Sequence, residues 1–163
     1  MHEPSEPIII RRLHREETGA ALRLAWKVFC AFESPDYAPE GTAEFKKTLQ
    51  NEAYLAGIGY YGAFDHGSLI GTLGIREENA HICFFFVDGA YQRRGVGTGL
   101  FERMREDYPG RTITLNASPY GLPFYAALGF TYRQGKDGKR DPLYAAVFST
   151  LKGDVRNGNR YHW

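Results

Sequence analysis

The segment QRRGVGT at residues 92–98 has the residue types of an anion-binding loop, with two arginines beside closely spaced glycines. It follows a short apolar run bounded by turn residues, His81–Val87, which predicts a buried strand. After it, apolar residues recur with helical spacing through Met104. The start of a helix leaves backbone N–H groups unpaired and carries partial positive charge, so this order predicts a phosphate or pyrophosphate site. The residues that such a loop contributes are Gln92, Arg93, Arg94, Gly95, Val96, Gly97 and Thr98.

Two common phosphate-binding motifs do not fit this loop. A P-loop requires Gly-Lys followed by Ser or Thr, and no such sequence follows here. The dinucleotide motif G-x-G-x-x-G requires a last glycine where this chain has Leu100. The loop therefore indicates another way of holding a phosphate-bearing molecule.

The spacing Gln92-x-x-Gly95-x-Gly97 after an aromatic strand resembles the coenzyme A motif of the GNAT superfamily of N-acyltransferases. Downstream, a strand that carries Asn116 precedes the sequence FYAALGF at residues 124–130, which is similar to the second hallmark of that family. Because both motifs stand in the right order and spacing, the chain is identified as a member. The resemblance implies direct transfer of an acetyl group from acetyl-CoA to a primary amine.

The resemblance assigns roles on the cofactor side of the site. In the family, backbone N–H groups of the fourth strand face the pantetheine arm and the thioester carbonyl, and by position these belong to Phe85 and Val87. N–H groups two residues apart point to the same side of a strand, which suits such a pair. Phe86 is counted with the same cofactor-binding segment, and Asn116 corresponds to the polar contact to the pantetheine arm. The alternatives are ordinary core residues for the strand and a strand-end turn residue for Asn116.

Tyr125 corresponds to the family's general acid toward the sulfur of coenzyme A. A phenol with a pKa of about 10 is a weaker acid than a thiol with a pKa of roughly 8.5. We therefore expect Tyr125 to act mainly as a hydrogen-bond donor to the developing thiolate. The alternative is a tyrosine packed beside Phe124 in an aromatic helix.

The general base is the point at which the sequence departs from the family pattern. Family members often carry a glutamate at the head of the fourth strand, where this chain has His81. Imidazole, with a pKa near 6.5, is a competent base at neutral pH, directly or through water. Glu77 and Glu78 lie just upstream as rivals, and a purely structural histidine is the other interpretation.

The fold class is α/β in one domain spanning residues 1–163, with a core at about 8–150 and a tail at 151–163. The predicted order β-α-α-β-β-β-α-β-α-β-β matches the acyltransferase fold, a mixed and mostly antiparallel sheet flanked by helices. Thr42 is expected to cap the second helix, which ends near Asn51. The remaining predicted elements are strands at 8–13, 59–64, 69–76, 112–116, 130–134 and 143–150, with turns at 65–68 and 136–139, and helices at 16–32, 97–107 and 123–129.

Composition limits the partners. A net charge of +1 gives no field that would draw the chain to nucleic acid or an anionic membrane. Cys30 and Cys83 form no disulfide framework, and no histidine spacing suggests a metal site. Neither a signal peptide nor a membrane-spanning segment is evident, so we expect a cytoplasmic protein, with a homodimer left open.

Two questions stay open at this level. The acceptor can be a small-molecule amine or an amine of a peptide or protein. The segment at 32–40 mixes acids with aromatics and would suit a cationic amine, although an ordinary solvated loop explains it equally well. The chain can also be a non-catalytic acyl-CoA-binding sensor or regulatory module on the same fold.

Overall fold

In the described part of the chain, six strands form one mixed sheet whose spatial order follows the chain. The computed structural model describes residues 7–36, 38–116, 121–131 and 146–149. Each strand is antiparallel to its neighbour except β4 and β5, which are parallel. The strands are β1 Ile9–Arg12, β2 Ile58–Asp65, β3 Ser68–Arg76, β4 His81–Val87, β5 Thr112–Leu115 and β6 Ala146–Ser149. The predicted α/β class and mixed, mostly antiparallel sheet are confirmed.

Helices cover both faces of the sheet and enclose two apolar layers. We call the layer beneath α1 and α2 the α1 layer and the layer beneath α4 and α5 the α4 layer. The helices are α1 Thr18–Val28, α2 Pro39–Thr48, α3 Glu52–Leu55, α4 Val96–Glu106 and α5 Leu122–Leu128. None of the helices in the described part of the chain is long and apolar enough to cross a membrane.

The hairpin of β2 and β3 is closed by a two-residue turn. Asp65 pairs with Ser68, while His66 and Gly67 adopt positive φ angles of 48° and 81°. Positive φ at both central residues is the geometry that matches the twist of adjacent strands. The predicted turn at 65–68 is therefore confirmed.

The second helix differs from its prediction at both ends. It begins at Pro39, with Ala38 as N-cap, rather than after Thr42. Proline suits the first helical position because its φ is already helical and its missing N–H has no partner there. The helix ends at Thr48, and Asn51 instead begins α3 by accepting a hydrogen bond from the Tyr54 N–H at 3.1 Å.

The predicted helix at 16–32 is present, but it changes its winding near the end. α1 continues into a wider turn, Phe29–Glu33, in which the Ser34 N–H donates to the Phe29 carbonyl five residues back. Such π-type turns are rare and occur often at functional sites. This one is followed directly by the segment that leads into α2.

The end of the chain is described only in part. β6 falls within the predicted strand at 143–150 and pairs antiparallel with β5, Ile113 facing Phe148. The predicted turn at 136–139, most of the predicted strand at 130–134 and the tail at 151–163 lie outside the described residues.

Candidate active site

A gap opens in the sheet where β4 leaves β5. The two strands pair through His81 with Thr114 and Ile82 with Leu115 at the start of β4. Farther along, β4 keeps its pairing to β3 on the other side, up to Val87 opposite Gly71. The residues of β4 beyond Ile82 therefore border the space between β4 and β5, which we call the gap.

Backbone groups of β4 point into this gap at alternate residues. The Asp88 N–H donates to the Ile70 carbonyl of β3 at 2.8 Å. By the alternation of a strand, the Phe86 N–H also faces β3, whereas the N–H groups of Phe85 and Val87 face the gap. The Val87 carbonyl on that side accepts a hydrogen bond from the Gln92 side chain at 3.0 Å.

A cavity of about 180 Å³ passes through the gap and reaches both layers. Tyr125 lines it in the α4 layer, and Phe45 lines it in the α1 layer. Asn116, at the end of β5, lines it as well. The lining residues are Phe29, Glu33, Phe45, Ile82, Cys83, Phe84, Phe85, Phe86, Leu115, Asn116 and Tyr125.

A β-bulge lies in the part of β4 that lines the cavity. Ile82 pairs with Ile75 and Phe84 with Gly74, so Cys83 is the extra residue. The bulge lets Cys83 and Phe84 both pack in the α1 layer, although neighbouring strand residues normally face opposite sides. β-Bulges are over-represented next to active sites.

Tyr125 is held in an aromatic environment. The centroid of its ring lies 5.9 Å from that of Phe85, 5.5 Å from that of Phe124 and 5.9 Å from that of Phe130. Only 8% of the residue is exposed. A Cβ atom at Gly121 would stand 2.7 Å from Cε2 of Tyr125, so glycine is needed for the ring to lie there. The structure thus brings Tyr125 and Phe85 together at the cavity.

The predicted phosphate loop runs into the start of α4. Gly95 is the N-cap residue with a left-handed φ of 82°, and no side chain caps the helix. The N–H groups of Val96 and Gly97, in the first turn, therefore have no acceptor within the helix. Arg93, with φ 64°, and Arg94 are both exposed beside this helix start.

Two aspartates outside the predicted site support this loop. Asp88 accepts from the Ala90 N–H at 3.0 Å and pairs with Lys27 at 2.8 Å, and the Lys27 contact is the main cause that lowers the pKa of Asp88. Asp65 accepts from the Tyr91 hydroxyl at 2.6 Å, which lowers the pKa of Asp65. The sequence indicated only a turn at Asp65, so this connection was missed.

His81 lies at the head of β4, outside the cavity lining. Its Nδ1 is 2.7 Å from the Thr114 hydroxyl, and burial, together with nearby Arg76, lowers its pKa. The Cys83 thiol donates to the His81 carbonyl at 3.5 Å, which connects His81 to a lining residue. At neutral pH the imidazole is therefore uncharged and able to accept a proton.

The two rival carboxylates, Glu77 and Glu78, lie in the connection between β3 and β4, just before His81. Glu77 forms an ion pair with Arg12, and both side chains are largely exposed. The Glu78 carbonyl accepts a hydrogen bond from Arg111 at 3.0 Å. Like His81, neither residue lines the cavity, so the lining does not distinguish among the three candidates for the base.

Three of the lining residues that the sequence analysis did not name come from α2 and from the end of α1. Phe29 and Glu33 come from the wide turn after α1, and Phe45 comes from α2. Their signal in the sequence was weak, because only the mixture of acids and aromatics at 32–40 pointed to this side. No group of three or more histidine, cysteine or acidic side chains in the described ranges is arranged to hold a metal ion.

Several solved N-acetyltransferases share this fold. A GCN5-related N-acetyltransferase from Rhodopseudomonas palustris has a TM-score of 0.67 and 20% identity, covering 90% of this chain and 96% of its own. PaiA N-acetyltransferase from Thermoplasma acidophilum, in complex with coenzyme A, has a TM-score of 0.68 and 18% identity, covering 87% and 98%. An aminoglycoside 6'-N-acetyltransferase complexed with coenzyme A has a TM-score of 0.58 and 13% identity, covering 86% and 96%. At these identities the likeness establishes the fold.

Sequence comparison establishes the family. Residues 33–143 match the family model of the acetyltransferase (GNAT) domain, which is more than half of the chain. The protein therefore belongs to the GNAT acetyltransferase family, as the two sequence motifs predicted. No curated protein matches the sequence significantly.

Proposed function

We propose that this protein is an N-acetyltransferase that moves an acetyl group from acetyl-CoA to a primary amine within a ternary complex. The observation that carries the proposal is the continuous cavity through the gap between β4 and β5. It joins Tyr125 and Phe85 in one layer to Phe45 and Glu33 on the other side. Two substrates can thus approach one point from opposite faces of the sheet.

The features of the loop support acetyl-CoA as the donor. An uncapped helix start, two exposed arginines and a glycine with left-handed φ together suit a pyrophosphate. The N–H groups of Phe85 and Val87 would face the pantetheine arm and the thioester, and Asn116 would contact the arm. Two structural neighbours were solved with coenzyme A, which favours the same ligand here.

Two protons leave the amine nitrogen in the reaction, one to a base before the attack and one that ends on the sulfur of coenzyme A. An alkylammonium of pKa about 10.4 must lose a proton before its nitrogen can attack, a cost of ~4.6 kcal/mol at pH 7. The nitrogen then bonds to the thioester carbon, the carbonyl oxygen takes up negative charge, and the carbon–sulfur bond breaks. The products are an N-acetyl amine, coenzyme A and one proton released to the base.

Tyr125 and His81 are the residues proposed to assist the departure of the thiolate and the removal of the first proton. The Tyr125 hydroxyl would donate a hydrogen bond to the departing thiolate, from a ring already fixed by three aromatic neighbours. His81 would take the ammonium proton through water, because it is neutral at pH 7 and lies beyond the cavity lining. Its Nε2 is available for this when Nδ1–H donates to Thr114.

The test is acetyl-CoA turnover, read as free thiol, across a panel of primary amines, with calorimetric titration of acetyl-CoA on the same protein. Binding of acetyl-CoA together with amine-stimulated thiol release is the expected result. Absence of acetyl-CoA binding would contradict the proposal.

The alternative is an acyl-CoA-binding sensor without turnover. It is favoured by one observation, the histidine hydrogen-bonded to Thr114 where family members often carry a glutamate. Binding of acetyl-CoA with no stimulation by any amine would identify this second function.

A further inference from the structure

The half of the cavity that lies in the α1 layer has aromatic walls. Phe29 stacks on Phe45 with ring centroids 4.1 Å apart and planes at 24°. Phe45 meets Phe84 at 6.2 Å and Phe86 at 5.8 Å, both with inclined rings. We call these four residues the aromatic wall; three of them are buried, and Phe45 is half-buried.

One side chain beside this wall carries a charge. Among the described lining residues, Glu33 is the only one with a formal charge at pH 7, and it is half-buried. A carboxylate in the same cavity as aromatic rings favours a cationic ligand, through its own charge and through the negative faces of the rings. The same carboxylate repels a ligand that brings a carboxylate of its own.

The wide turn after α1 places Glu33 at this position. The hydrogen bond from the Ser34 N–H to the Phe29 carbonyl closes a turn with one residue more than an α-helical turn. Phe29 and Glu33, at its two ends, both line the cavity. The arrangement is therefore built into the backbone.

The cavity is comparable in size to one aromatic ring. The whole cavity measures about 180 Å³. A cavity of roughly 150 Å³ is enough for one benzene-sized ring. Hydroxyl groups of a bulky polar amine would lack partners along the aromatic wall, at about 1–3 kcal/mol for each group left unpaired.

From these four observations we infer that the acceptor is a small primary amine on an apolar, arylalkyl body, bound by Glu33 and the aromatic wall. The inference rests on the proposed acetyltransferase function and specifies its substrate class. Glu33 contacts the ammonium in this arrangement and determines specificity. The aromatic wall excludes water and holds the apolar body.

A matched pair of amines tests the inference. 2-Phenylethylamine and phenylalanine share the ring and the primary amine, and differ by one carboxylate. We expect kcat/KM to be at least about tenfold higher for 2-phenylethylamine than for phenylalanine, and higher than for the aminoglycoside kanamycin. Glu33→Gln should reduce this preference about tenfold, while the calorimetric affinity for acetyl-CoA stays unchanged.

Control variants separate charge from general disturbance. Glu40→Gln removes an exposed carboxylate from α2 outside the cavity lining and should leave the preference intact. Phe45→Leu keeps an apolar side chain, whereas Phe45→Ala opens the wall. The ratio of kcat/KM for 2-phenylethylamine to that for kanamycin should be retained in Phe45→Leu and should fall in Phe45→Ala.

The outcomes distinguish this inference from the proposed function. If acetyl-CoA binds and kanamycin or phenylalanine is the better acceptor, or if Glu33→Gln leaves the preference unchanged, the inference is wrong and the acetyltransferase proposal stands. If acetyl-CoA binds and 2-phenylethylamine gives no thiol release, the inference is also wrong. If acetyl-CoA does not bind, both fail.

Discussion

The Tyr91 hydroxyl donates a hydrogen bond to the Asp65 carboxylate at 2.6 Å and so connects the candidate phosphate loop to the β2–β3 hairpin. Arg94 lies over the same tyrosine ring, 5.4 Å from its centroid. The Tyr91 ring therefore contacts Arg94 of the loop, and the hydrogen bond to Asp65 fixes the orientation of that ring. The loop is oriented by an element 26 residues away in sequence.

Tyr91→Phe should weaken acetyl-CoA binding. The substitution keeps the ring against Arg94 but removes the hydrogen bond to Asp65, so the loop loses its connection to the β2–β3 hairpin. We expect KM for acetyl-CoA to rise about fivefold with kcat unchanged, which corresponds to one lost hydrogen bond of ~1 kcal/mol. Steady-state kinetics with acetyl-CoA varied will measure it.

Tyr61→Phe is the matched control for this prediction. The Tyr61 hydroxyl donates to Asp107 at 2.5 Å, which is the same kind of bond at the far end of α4. Its loss should lower the free energy of unfolding and leave KM for acetyl-CoA unchanged. Equal effects of the two variants on KM would contradict a local role for Tyr91.

Tyr125→Phe should slow the chemical step. Phenylalanine preserves the packing against Phe85 and Phe130 but removes the hydroxyl that we propose as donor to the departing thiolate. We expect kcat to fall about 100-fold, with the calorimetric affinity for coenzyme A unchanged. Tyr108→Phe alters another buried tyrosine of the α4 layer that does not line the cavity, and it should retain kcat. A Tyr125→Phe variant with full kcat would remove Tyr125 from the mechanism.

The sequence was sufficient for those parts of the fold that local chemistry determines. The turn at His66 and Gly67 requires positive φ at adjacent residues, and the strand His81–Val87 is apolar and bounded by turn residues. The glycine at 95 likewise predicted the loop before α4. In these places, a few neighbouring residues carry the whole structural signal.

Other features depend on contacts that a sequence does not display. A four-residue helix such as Glu52–Leu55 is too short for a periodic pattern, and the start of α2 follows from Pro39 rather than from Thr42. The bulge at Cys83 is fixed by its pairing with β3. Glu33 lines the cavity from the wide turn that follows α1, and the sequence did not predict that change of winding.

His81→Gln should alter the pH dependence of the reaction. Burial, with Arg76 nearby, lowers the pKa of His81 below its usual 6.5, so the imidazole is neutral above that pH and becomes protonated as pH falls through the lowered pKa. If His81 is the base, the ratio of kcat/KM between the unsubstituted protein and the variant should be about 100 at pH 7.5 and fall below pH 6. Taking the ratio cancels the ionisation of the amine itself.

His14→Gln replaces an exposed histidine that is distant from His81 in the sequence. The ratio of kcat/KM between the unsubstituted protein and this variant should be near one at every pH. A ratio for His81→Gln that does not change with pH would assign His81 a structural role through Thr114. The lowered pKa of His81 also favours the unfolded chain in acid, because the unfolded chain takes up the proton first. Stability contributed by neutral His81 should therefore be lost as pH falls below 6.5.

Gly95→Ala should damage the loop through backbone geometry alone. At φ 82° an alanine Cβ is strained by about 1 kcal/mol, and relief of that strain would turn the first N–H groups of α4 away from the proposed pyrophosphate site. Gly110→Ala meets the same kind of strain, at φ 72°, in open space outside the site. Both variants should lose similar stability in thermal unfolding, but only Gly95→Ala should raise KM for acetyl-CoA. If KM rises equally in both, the effect is one of general stability, and the pyrophosphate does not depend on the helix start.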